Sequence, residues 1–178
     1  MELNFKLEES DFLEYQLYAS NKSKKQTRNR LRARLIFSLT NLLLAILIYF
    51  RTNHVIFSLF VGALGVLWFL FYPQYSRWRY TNHFKGHIKE NYKESIGVSV
   101  SLIIEESLLY VKDSMTESKL LGENLKKLIE LPNHYFVKLG TGTALILPKR
   151  VFSEHEKFRQ KILDFGAEYI NELNWKFT

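Results

Sequence analysis

Leu35 to Phe50 runs sixteen residues without a charge, Val55 to Tyr72 runs eighteen, and only Arg51 to His54 lies between them. A connector that short forces two helices into an antiparallel hairpin. At about 1.5 Å per residue the runs reach roughly 24 and 27 Å, a little under a hydrocarbon core of about 30 Å. Arg32 and Arg34, together with Trp and Tyr at the ends, can bridge the shortfall by snorkelling. A helix in a soluble core normally keeps a polar face, and neither run has one. The chain therefore reads as a two-span membrane protein.

Charge placement sets the expected orientation. The formal net charge is +7, and Lys22, Lys24, Lys25, Arg28, Arg30, Arg32 and Arg34 supply seven positive charges with no acid among them, so the rest of the chain balances to zero. Arg77, Arg79, Lys85 and Lys89 follow the second run, while the connector holds only Arg51. The positive-inside rule then puts both termini in the cytoplasm and the chain in the inner (cytoplasmic) membrane. Trp68, Tyr72, Tyr75, Trp78 and Tyr80 form an aromatic belt at the inner boundary. The basic run would face anionic headgroups, each charge contributing about 1 kcal/mol. Topology control alone is compatible with the same residues. Nucleic acid is not the expected partner, because the run has no interleaved aromatics and abuts a span. Met1 to Ser20 is acidic and amphipathic, which does not read as a cleavable leader. There is no cysteine, so disulfides and thiolate metal sites are excluded.

Within the spans, Asn41 is the most polar residue, level with Gly65 and Val66 on the returning helix. Gly62 and Gly65 offer a smooth strip for close approach. Asn41 is expected to bond across the hairpin, and a homo-oligomer contact at the same place stays open. One amide and no intramembrane acid or base argue against ion transport.

Four segments follow: 1–34, a cytoplasmic N-terminal strand and helix with the basic juxtamembrane run; 35–72, the transmembrane hairpin; 73–95, a juxtamembrane amphipathic segment after a break at Pro73; and 96–178, a cytoplasmic strand-rich domain. Leu3, Phe5 and Leu7 alternate as in a strand, and Asp11 with Glu14 reads as a capping box for a helix that continues into the first span. Beyond Ser95 the period becomes two. Strands are expected over Val98–Ile104, Leu109–Val111, Ser114–Leu121, Leu125–Leu131, Tyr135–Leu139 and Thr143–Leu147, the last two joined by a Gly140-Thr141-Gly142 turn. Ser153 and Glu156 suggest a capping box for a final helix with Phe158, Ile162, Phe165, Tyr169 and Leu173 on its apolar face. The expected fold class is an α+β membrane protein: a two-helix hairpin plus an antiparallel meander capped by a helix, in the order of a pleckstrin-homology-like module.

Three pieces resemble the YcxB-like family of bacterial membrane proteins. They are Leu67-Trp68-Phe69-Leu70-Phe71-Tyr72-Pro73 with Tyr75, Arg77 and Tyr80; Asn133-His134-Tyr135-Phe136-Val137-Lys138-Leu139; and Ile146-Leu147-Pro148-Lys149-Arg150-Val151-Phe152. The chain departs from the family pattern before the fourth strand of the module, where Gly122-Glu123-Asn124-Leu125 replaces an aromatic residue. The resemblance implies a membrane protein of no established activity.

No motif carries chemistry. His83 and His87 share a helix face but lack further ligands for a metal. His134 and His155 have no serine and acid partnership visible in the sequence. Gly140-Thr141-Gly142-Thr143 lacks the lysine and following helix of a phosphate loop. Lys149 and Arg150 are the candidates for an anionic lipid or an acidic partner, with a solvated corner as the alternative. The expectation is a non-enzymatic, membrane-anchored binding module with no cofactor or metal, docking a protein at the inner leaflet. An immunity protein against a membrane-acting toxin is the alternative, ahead of a membrane enzyme or an oligomeric pore.

Overall fold

The computed structural model describes residues 1–114 and 116–177. These form two units: Met1–Gln16 with Phe84–Lys176, and Leu17–His83 with Phe177.

The second unit is the helical hairpin. α2 (Lys24–Thr52) and α3 (Val55–Asn91, the last residues of which belong to the first unit) hold the two uncharged runs. Asn53, at φ 55°, closes α2 in the left-handed conformation and donates its N–H to the Tyr49 carbonyl. Asparagine tolerates that region better than most side chains. Gly65 is where the helices meet most closely: a Cβ there would sit 2.9 Å from the Ser38 carbonyl oxygen and 3.1 Å from Asn41 Cβ. Ser58 Oγ, buried, donates across the hairpin to the Ala45 carbonyl at 2.7 Å. Both helices are long and apolar enough to cross a membrane, and only 11% and 17% of their most apolar stretches are buried. A core helix of a soluble protein would be mostly covered. Leu43, Leu47, Ile56 and Leu59 lie more than half exposed.

Three helix boundaries differ from expectation. α1 (Glu9–Lys22) stops at the first residue of the basic run, and Ser23 starts α2 afresh by accepting the Gln26 N–H. Asp11 is not the N-cap of α1. It lies inside the first turn and accepts the Glu8 N–H at 2.7 Å, the return bond of a capping box shifted three residues upstream. Pro73 breaks nothing, and α3 runs through it to Asn91. Proline removes one donor, and the carbonyl it orphans, that of Phe69, receives Arg34 Nε instead at 2.8 Å.

The first unit is α+β with two four-stranded sheets. β1 (Glu2–Lys6), β2 (Ser99–Ile104), β3 (Leu108–Lys112) and β4 (Glu117–Leu121) are antiparallel in that order. The N-terminal strand therefore belongs to the strand-rich domain rather than to a separate segment, with Phe5 opposite Val100 and Leu3 opposite Leu102. The second sheet has the order β7-β6-β5-β8, from β5 (Leu125–Glu130), β6 (His134–Leu139), β7 (Ala144–Pro148) and β8 (Glu168–Asn171). The expected strand at 114–121 begins at Glu117, and its Met115 lies outside the described residues. At the β6–β7 turn Gly142 takes φ 89°, which a side chain would resist. The core joins both sheets to α4 (His155–Asp164) through Phe5, Leu102, Leu128, Tyr135, Phe158 and Ile162.

The final helix is shorter than its sequence pattern suggested. Its N-cap residue is Glu154, with no side-chain cap bond, so Ser153 and Glu156 form no box. It ends at Asp164 because Gly166, at φ 87°, turns the chain and donates to the Leu163 carbonyl. Tyr169 then lies on β8, paired in parallel with Leu128 of β5, and Leu173 is exposed. The meander is therefore not purely antiparallel.

Candidate functional site

Pro148-Lys149-Arg150 ends β7 and enters a 3₁₀ turn at Lys149–Val151. Both cations are held by carboxylates of the chain itself. Arg150 grips Asp11 with two nitrogens, each 2.7 Å from a carboxylate oxygen, and adds a 3.2 Å bond to the Lys6 carbonyl. Asp11 is 1% exposed and also accepts from His134 Nε2 at 2.8 Å. His134 Nδ1 stands 3.1 Å from Glu14 Oε2, an ion-pair contact outside hydrogen-bonding angles. Burial works against a charged His134, but Asp11 and Glu14 outweigh it and lift its pKa to about 9. Burial likewise opposes the Asp11 carboxylate, yet Arg150 and His134 hold it well below the usual range.

Lys149 turns to a second buried acid. Its Nζ lies 2.7 Å from Glu130 Oε1 at the end of β5, and Tyr169 OH donates to Oε2 at 2.6 Å. Burial would raise the Glu130 pKa, but Lys149 and Tyr169 bring it below the ordinary value. Burial and the Glu130 charge push the Tyr135 phenol up to about 12. Lys149 and Arg150, the expected contacts for an anionic lipid or an acidic partner, are thus both engaged by carboxylates within the chain. Each neutralises a buried carboxylate, the arrangement buried ions require. A protonated His134 enclosed by two acids is no general base at neutral pH.

This corner fixes the first turns of α1, up to Gln16, against the second sheet and builds a groove. Phe12 and Tyr15 project from the same turns as Asp11 and Glu14; Tyr15 meets Phe136 edge-on at 5.2 Å, and Phe12 lies 5.1 Å from Tyr92. With Leu7, Val100, Val111 and the strand Ala144–Leu147 they line a cavity of 510 Å³ whose charged lining residues are Glu94 and Asp113. β7 is the edge of its sheet. Leu139 N–H donates to the Thr143 carbonyl and Lys149 N–H to that of Asn133, so residues 143, 145, 147 and 149 turn their backbone groups toward β6. The alternating residues, Ala144 and Ile146, turn theirs to the open edge. The sequence offered one signal for this groove, the apolar run Ala144–Leu147 after a glycine turn, but not its position at a sheet edge.

The remaining expected residues fall on the hairpin. Lys24, Lys25, Arg28 and Arg32 are exposed along α2. Lys22 lies over the Tyr18 ring at 5.5 Å, and the Arg34 guanidinium over that of Phe69 at 3.8 Å. Arg30 is buried between Tyr80 and Phe177. Asn41 bonds back to the Phe37 carbonyl at 2.9 Å on its own helix, not across the hairpin. Gly62 has Ala45 as its neighbour, 3.5 Å from the position a Cβ would take. His87 contacts Asn91 at 3.0 Å, and among the described residues no group of three or more His, Asp or Glu is placed to hold a metal.

Residues 123–162 match the family model described as YcxB-like protein. The YcxB-like segment thus covers β5, β6, β7 and most of α4, with His134, Lys149 and Arg150 inside it. Asp11, the partner of two of these residues, lies outside it. No curated protein and no solved structure matches the chain.

Proposed function

We propose that the chain is a non-enzymatic, membrane-anchored binding module whose YcxB-like unit takes an extended segment of a protein partner along β7. The apolar, largely uncovered hairpin is the anchor, spanning the inner membrane with both termini cytoplasmic. The exposed part of the basic run, Lys24 to Arg32, lies against anionic lipid. The order of seven strands, β1 to β7, followed by α4 supports a pleckstrin-homology-like layout with the hairpin inserted between β1 and β2 and β8 added after the helix.

The open edge of β7 beside the groove carries this reading. Ala144 and Ile146 offer N–H and C=O groups to an added strand, and the 510 Å³ cavity receives its alternate apolar side chains. Glu94 and Asp113 favour an occupant with Lys or Arg at its ends.

The test places a photo-crosslinking residue at Val111 of the full chain in native membranes. Cross-linked peptides are read by quantitative mass spectrometry, and the captured segment is synthesised and titrated. Expected is one apolar segment flanked by a base, whose binding falls about ten-fold in Ala144→Pro, a variant that removes an outward N–H and spares the β6–β7 ladder. Equal binding to Ala144→Pro would overturn the strand-addition reading. Cross-links to lipid alone would overturn docking altogether. The identity of the captured protein separates toxin protection from scaffolding.

A further inference from the structure

Arg30 is the one basic residue of the run that is buried, at 6% exposure, and no carboxylate among the described residues pairs with it. Its terminal nitrogens reach only neutral oxygens: Asn21 Oδ1 at 2.8 Å, Thr27 Oγ1 at 3.2 Å and Ser20 Oγ at 3.4 Å. Among the described residues its hydrogen bonds all run from these terminal nitrogens. Taking a guanidinium out of water without a counter-charge is costly, and structures rarely sustain it without a use. Arg30 lines a cavity of 420 Å³ beneath the aromatic belt, together with Tyr72, Tyr75, Ser76 and Arg79. Tyr72, Ser76 and Arg79 recur at helical spacing on α3, so one face of that helix closes the cavity. Ser76 is 2% exposed and its buried hydroxyl has no partner among the described residues. Arg79 is exposed and takes part in no ion pair among the described residues.

We infer that this cavity is a phosphate-ester site, in which Arg30 and Arg79 compensate the anionic charge and Ser76 donates its hydroxyl. Its lining holds two arginines, donor-capable Asn29, His83, Ser76 and tyrosine side chains, and no carboxylate. A phosphate, with several acceptor oxygens, satisfies them together. The position at the basic end of both helices assigns the ester to the headgroup of an anionic phospholipid. That assignment rests on reading α2 and α3 as spans.

The full-length chain is reconstituted in nanodiscs of phosphatidylcholine and phosphatidylglycerol, exchanged into neutral detergent, and weighed by native mass spectrometry. One phosphatidylglycerol per chain is expected to be retained. Arg79→Gln and Ser76→Ala are expected to reduce retention about ten-fold, whereas Arg28→Gln and Arg32→Gln, exposed members of the same run, leave it unchanged. Equal loss in all four variants would overturn the site in favour of diffuse attraction. A second arm titrates lipid-free protein with glycerol phosphate. Binding there that is sensitive to Arg79→Gln, with no lipid retained, keeps the phosphate site and overturns its lipid assignment. Binding in neither arm removes the site. Carbonate extraction of the native chain separates that result from failure of the membrane reading, in which the chain would leave the bilayer.

Discussion

Arg34 Nε donates to the Phe69 carbonyl at 2.8 Å, and its guanidinium lies 3.8 Å from the centre of the Phe69 ring. That carbonyl is the one Pro73 cannot serve, so a basic residue of α2 completes the hydrogen bonding of α3. In the apolar setting proposed for these helices, Arg34→Leu should destabilise the hairpin by about 1–3 kcal/mol, the cost of an orphaned carbonyl. Pro73→Ala supplies the missing N–H and should shrink that cost. Thermal unfolding of the two single variants and the double variant in detergent measures the coupling. Strictly additive effects would show that Arg34 acts through stacking or charge alone.

His134 and Asp11 give the first unit a defined pH window. The His134 pKa rises from 6.5 to about 9, so its contribution is complete below 6.5 and is lost as pH climbs through 9. Linkage puts that contribution at about 3 kcal/mol. Asp11 is held down, so its contribution is present above the ordinary carboxylate range and lost only in strong acid. Denaturant unfolding followed by the near-ultraviolet signal should show stability falling between pH 6.5 and 9. Asp11→Asn should flatten that slope and cost about 3–5 kcal/mol at neutral pH by leaving His134 and Arg150 without their shared partner. An unchanged slope in Asp11→Asn would refute the assignment.

The strands were legible because their pattern is local. Val100, Leu102 and Ile104 alternate within six residues, and Gly142 marks its own turn. The Asp11–His134–Arg150 cluster was not legible, because Asp11 stands 123 residues from His134 and 139 from Arg150. Lys149 and Arg150 look like surface cations in a sequence; only the fold brings Glu130 and Asp11 under them. The Phe165 and Tyr169 spacing fits a helix as well as it fits a strand after a turn, and a single glycine between them decides.

That glycine is testable. Gly166 has open space around its Cβ position but a φ of 87°. Gly166→Ala should therefore cost about 1–2 kcal/mol from backbone strain alone. The strain falls where α4 hands over to β8, so amide exchange should quicken first at Tyr169 and Ile170, ahead of β6. Loss confined to α4, with β8 protection intact, would show that β8 does not depend on this turn.

Close approach in the hairpin yields a paired prediction from two glycines three residues apart. A methyl on Gly65 would press on the Ser38 carbonyl oxygen at 2.9 Å and on Asn41 Cβ at 3.1 Å, both fixed by α2. A methyl on Gly62 would meet Ala45 Cβ at 3.5 Å, ordinary contact. Gly65→Ala should destabilise the hairpin by about 1–3 kcal/mol through overpacking. Gly62→Ala should be neutral or gain up to about 1 kcal/mol, since alanine is the better helix former. Both variants carry the same added methyl and the same change in propensity, so their difference in detergent unfolding isolates the steric term. Equal effects at the two positions would mean that the helices separate freely at Gly65 and that the approach there contributes nothing to holding the hairpin.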